Sequence, residues 1–165
     1  MSGKDSSGKK RGQLLSDALR AVRGIRKAKT PDIAAALGLS VRGYQNFEAG
    51  GGQLNIDHVL KFGAALDCDP FGVLASVHIG RPEFAAYVAQ NKAMIAWFIA
   101  LQEFVESTGD AIGLLETSTL LSAYRTMFKD LSAQALAAKG DTAAWLAQNA
   151  ARLDLPKPPE DDEGS

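Results

Sequence analysis

The stretch TPDIAAALGLSVRGYQNFEAG, Thr30 to Gly50, constrains the fold more than any other part of the chain. Thr30 followed by Pro31 reads as an N-cap and first helical residue, Ile33, Ala34 and Leu37 supply one apolar face, and Gly38 ends the segment. Ser40 then caps a second short helix, running from Val41 to about Ala49. Isolated helices this short are not stable in water, so the two must pack together across the glycine and against further helices. The second of them sorts its side chains by face. Tyr44 and Phe47 point inward, whereas Arg42, Gln45, Asn46 and Ala49 recur at i, i+3, i+4 and i+7 and share the outward face. That face shows no alternation of opposite charges. It offers Arg, Gln and Asn, the side chains suited to bidentate bonding with guanine and adenine edges in a DNA major groove.

Flanking segments supply the rest of a core. Leu14, Leu15, Ala18, Leu19, Val22 and Ile25 predict a preceding helix, with Arg20, Arg23 and Arg26 mostly off its apolar stripe. Gly50 to Gly52 break the chain, Asn55 caps a fourth helix with Ile56, Val59, Leu60, Gly63 and Leu66 inside, and Asp69 before Pro70 starts a fifth that carries Phe71, Val73, Leu74 and Val77. Gly80-Arg81-Pro82 reads as a hinge. The expected fold class is all-α: a five-helix helix-turn-helix domain over 13–79, then a helical domain of about three helices over 81–155. Residues 1–12, with Lys9, Lys10 and Arg11 but no apolar anchor, predict a disordered basic arm, and 156–165, PKPPEDDEGS, a disordered acidic tail.

Charge is unevenly spread. From Met1 to Ala49, ten Lys/Arg face four acids, a net +6, while from Arg81 onward seven Lys/Arg face twelve acids, a net −5. A basic head on an acidic body implies that the head is the part that meets a polyanion. The leading MSGKDSSGKKRGQ has no apolar h-region and does not fit a signal peptide. The longest uncharged apolar run, Ala93 to Leu101, has nine residues, short of the roughly 20 that span a bilayer. A cytoplasmic protein with no membrane partner is expected. Cys68 is the one cysteine, so no internal disulfide can form and no Cys/His set has zinc-ligand spacing. No metal and no cofactor is expected. His58 and His78 have no partner acid that would make them bases or ligands, and no nucleophile with its base or phosphate-cradling loop is visible, which argues against an enzyme.

With these positions in place, residues 13–79 resemble the Cro/C1-type, or XRE, family of phage repressors and bacterial transcriptional regulators, whose DNA-binding domain has the lambda-repressor-like fold. Ala34 stands at the small position where the two helices cross, Gly38 at the turn, Ile33, Leu39, Tyr44 and Phe47 at core positions, and Glu48-Ala49-Gly50 at the E-x-G ending. The resemblance implies binding of double-stranded DNA, with Val41, Arg42, Gln45 and Asn46 meeting bases and Arg42 the first candidate for a guanine. It implies phosphate contacts near Lys29, Thr30, Ser40 and Gly43, although Thr30 replaces a glutamine that many members carry. It also implies a structural ion pair between Arg23 and Glu48. Gly43 costs about 1 kcal/mol against alanine inside a helix, and close approach of its backbone to DNA would account for it.

No family pattern marks residues 81–155. A long helix from Pro82 to about Ser107 is apolar all round in its middle, and a second runs to an end at Lys139-Gly140, where Asp141 caps a third. Since helix-turn-helix proteins bind two half-sites about one DNA turn apart, the preferred reading is a homodimer paired through Met94, Ile95, Trp97, Phe98 and Leu101. A closed monomeric bundle, or a ligand pocket lined by Trp97, Tyr124 and Trp145, are alternatives. A further one, from a different class, is a protein-interaction module, an antitoxin or an adaptor contacting RNA polymerase or a second regulatory protein, in which these helices carry the main function.

Overall fold

The structure, a computed structural model, describes residues 3–51, 55–149 and 152. Among the described residues the chain is all-helical, with α1 Gly3–Arg26, α2 Thr30–Leu37, α3 Val41–Glu48, α4 Ile56–Leu66, α5 Pro70–Ile79, α6 Phe84–Val88, α7 Ala93–Thr108, a 3-10 helix Gly109–Leu114, and α8 Thr117–Asn149. It divides into two compact units, Met1–Gly109 and Asp110–Ser165.

The first unit is built on one core. Leu15, Ala18, Leu19 and Val22 form the buried stripe of α1, and Ile33, Ala34, Leu37, Tyr44, Phe47, Val59, Phe62, Leu66, Val73 and Val77 close around it. Helix α2 stops at Gly38, whose φ of 70° suits glycine, and two bonds, Leu39 N–H to Ala34 O (2.9 Å) and Gly38 N–H to Ala35 O (3.0 Å), satisfy its last carbonyls. Helix α4 presents Val59, Phe62, Gly63 and Leu66 to the core. Ile56 and Leu60, expected inside, stay exposed because the heavier Phe62 sets the rotation of the helix.

Several expectations are corrected. Helix α1 begins at Gly3, so the part of the expected disordered arm that is described is helical. Once the Leu15–Val22 stripe has nucleated the helix, each added residue brings its own backbone bond, and an apolar anchor is not needed upstream. Thr30 is the first residue of α2 rather than its cap; Lys29 takes the cap position with no side-chain bond, its carbonyl accepting from Asp32 and Ile33 N–H (both 3.2 Å). The helix expected from Pro82 to Ser107 is broken at 89–92, where Lys92 adopts the left-handed conformation (φ 54°). The break lets the short α6 bury Ala85, Val88 and Ala89 against α1 and α5. The Gly80 turn is therefore not an interdomain hinge: it ends α5 with Arg81 N–H bonded to Ser76 O (2.9 Å), and the first unit continues to Gly109.

In the second unit α8 runs unbroken through Lys139-Gly140, where an end was expected; lysine and alanine neighbours carry the helix across one glycine at about 1 kcal/mol. No residue of α8 is buried. The acidic tail 156–165 lies outside the described residues.

Candidate nucleic-acid interface

Helix α3 is held from behind by a buried polar cluster. Arg23 on α1 donates to Glu48 through Nε (2.6 Å to Oε1) and through its terminal nitrogen (3.2 Å to Oε2), a bidentate fork. The fully buried Tyr44 hydroxyl donates to the same Oε1 at 2.8 Å. Burial, with the Glu48 carboxylate beside it, raises the Tyr44 pKa well above the usual tyrosine range, so the hydroxyl stays a donor. Phe47 fills the remaining space, tilted against Tyr44 (ring centres 6.3 Å apart) and edge-on to His58 of α4 (5.5 Å). His58 thus has a packing role that the sequence did not reveal.

The far end of α3 is fixed by backbone contact. Gly50 has φ 73°, and a Cβ added there would overlap the carbonyl of Gly12 on α1; a Cβ at Gly12 would lie 2.7 Å from the Gly50 oxygen. These two glycines let α1 and the α3 terminus touch without side chains. Gly50 reads from sequence as a chain break, but nothing local in the sequence pairs it with a glycine thirty-eight positions earlier.

The front of α3 is free. Val41, Arg42, Gln45, Asn46 and Ala49 are exposed, and Arg42 makes no ion pair among the described residues. Ser40 caps the helix by accepting from Gly43 N–H at 3.0 Å, so its hydroxyl is already engaged there. A Cβ at Gly43 would sit 3.2 Å from that hydroxyl oxygen. Glycine leaves the cap undisturbed, a local reason for its presence beside the expected one. Lys29 is exposed, and Thr30 half-buried, at the start of α2. Lys10 and Arg11 are exposed on α1, and the side chain of Lys9 lies outside the described residues.

The residues expected to pair subunits divide by exposure. Met94, Ile95, Trp97 and Leu101 are half-buried, and Phe98 is exposed yet packs on Phe71 of α5 (ring centres 4.7 Å) and edge-on to Trp97 (5.2 Å). The most open apolar side chains of α7 are Ile99 and Val105, not part of the expected set. Cys68 is buried, and burial pushes its thiol up to about 11, which keeps it protonated and unreactive near neutral pH. Among the described residues no cluster of His, Cys, Asp and Glu could hold a metal ion, and no helix is long and apolar enough to cross a membrane. No family model, no curated protein and no solved structure matches the chain.

Proposed function

We propose that the chain is a sequence-specific, double-stranded-DNA-binding transcriptional regulator of the Cro/C1 type, which enters the major groove with α3 and acts as a homodimer on an inverted repeat. One observation carries the reading: α3 offers an outward face of Arg42, Gln45 and Asn46, whose exposed side chains form no ion pair among the described residues, while its inner face is anchored by the Arg23–Glu48–Tyr44 cluster. A groove-reading helix needs both halves of that arrangement, free base-matching side chains and a rigid support. Lys10, Arg11, Arg20, Lys27, Lys29 and Arg42 are exposed in the same unit and form no ion pair among the described residues, which leaves them available to phosphates. Pairing through α7 is supported by its exposed Phe98, Ile99 and Val105.

Salt titration tests phosphate contact independently of any target sequence. Against a random-sequence duplex, log affinity is expected to fall with log salt at a slope steeper than about −3, each neutralised phosphate adding about 0.9. A flat response contradicts the proposal.

A second reading has its own observation. Leu121, Tyr124, Phe128, Leu131, Leu136, Trp145 and Leu146 are all exposed on α8, and a helix with this much open apolar surface suits a protein-binding module such as an antitoxin or a polymerase-contacting adaptor. The two readings are compatible if α3 selects the site and α8 the partner.

A further inference from the structure

We propose that Asp69 is the positioning residue that sets the distance between the two DNA-reading helices of the dimer, an inference that rests on DNA reading by α3 and pairing through α7. Asp69 is fully buried, and its two carboxylate oxygens serve two different helices. Oδ1 accepts from Gly72 N–H at 3.1 Å and caps α5. Oδ2 accepts from Met94 N–H at 2.7 Å and Ile95 N–H at 3.3 Å, and so caps α7 from the core of the first unit. A buried negative charge at two helix N-termini, bonded to three amides, is a strong and directional joint.

The other ties around this joint are weaker. Lys92 Nζ lies 2.6 Å from Asp67 Oδ1, but both side chains are exposed, and such surface pairs contribute little. Arg26 donates to Asp67 O (2.7 Å) and Ala89 O (3.4 Å), which fixes the segments before α5 and α7 rather than α7 itself. The Phe71–Phe98 contact is apolar and holds distance better than angle. Asn91 Oδ1 accepts from Ala93 N–H (3.1 Å) but belongs to the segment that leads into α7, so Oδ2 of Asp69 is the buried side-chain acceptor that ties the start of α7 to the core and orients it. If α7 pairs subunits, that direction is transmitted to the separation of the two α3 helices, and so to the spacing of half-sites on DNA.

Asparagine separates the two duties of this residue. Its one carbonyl oxygen can cap α5, as asparagine commonly does, but the amide nitrogen in place of Oδ2 offers hydrogens to amides that already carry them. Duplexes enriched by the wild-type protein from a random pool are resynthesised with the two half-sites at every spacer length across one helical turn. Wild type is expected to lose on the order of 100-fold in affinity when the spacer is changed by about half a turn. Asp69→Asn is expected to bind an isolated half-site as wild type does but to lose less than about tenfold on the same change, with faster amide exchange at Met94 and Ile95 and none at Gly72. An unchanged spacing profile in Asp69→Asn overturns the role of Asp69 while leaving DNA reading intact. Failure of wild type to enrich any paired half-sites overturns both. Should Asp69→Asn not fold, Asp69→Ser, whose single hydroxyl can serve only one of the two helices, is put through the same assay with the same expected and contrary results.

Discussion

Glu48→Ala is expected to destabilise the first unit by about 3 kcal/mol. Its carboxylate accepts three bonds, two from Arg23 and one from Tyr44. Arg23 is one-third exposed in its side chain and can recover water once the acid is gone. Tyr44 cannot: its hydroxyl is fully buried and would be left without an acceptor. The orphaned hydroxyl and the lost bidentate pair account for the estimate, which is a large part of the 5 to 15 kcal/mol that holds an ordinary domain together. Glu48→Gln keeps one acceptor oxygen and should lose roughly half as much. Urea unfolding of the two variants beside wild type checks the order. Equal losses would mean that the charge alone, and not the acceptor for Tyr44, does the holding.

Gly50→Ala should come close behind. Two costs add there: a left-handed φ of 73° for a residue with a side chain, and a Cβ driven into the backbone of Gly12. Neither backbone can give way without moving α1 away from α3, so a loss of about 3 kcal/mol is expected. Gly38→Ala is the internal comparison. It has nearly the same φ, 70°, but open space around the added atom, so only the conformational cost of about 1 kcal/mol remains. Thermal unfolding that ranks Gly50→Ala well below Gly38→Ala supports the α1–α3 backbone contact. Equal melting temperatures would contradict it.

What could be read from the sequence was local. The turn at Gly38, the cap at Ser40 and the split of α3 into buried Tyr44 and Phe47 against exposed Arg42, Gln45 and Asn46 all follow from propensities and spacing within one or two turns. The Arg23–Glu48 contact spans twenty-five positions and came into view only through resemblance to a family, because spacing along the chain does not say which surface arginine meets which acid. Some departures are local, such as the cap at Lys29 rather than Thr30 and the passage of α8 through Gly140, but those that shape the core are long-range. Helical spacing places Ile25, Ile56 and Leu60 inside, yet all three are exposed and Phe62 is buried, since which side of a helix faces the core depends on the volume of its neighbours. The break between α6 and α7 has no proline and no glycine to announce it. It occurs where Asp69 offers an oxygen to a helix start, twenty-five residues away in the chain. Aspartate before proline was readable as the cap of α5, but its second oxygen was not.

Sequencing of genomic fragments captured by the purified full chain, run beside Arg42→Ala, tests whether α3 reads DNA through Arg42, Gln45 and Asn46. Arg42 is exposed and unpaired among the described residues, so its replacement should leave the unfolding free energy within about 0.5 kcal/mol of wild type. Wild type is expected to enrich an inverted repeat, and Arg42→Ala to relax the preference at one position in each half-site at a cost of about 1 to 3 kcal/mol. Capture of the same fragments with the same base preferences by both proteins, or no enrichment by either, would contradict the claim.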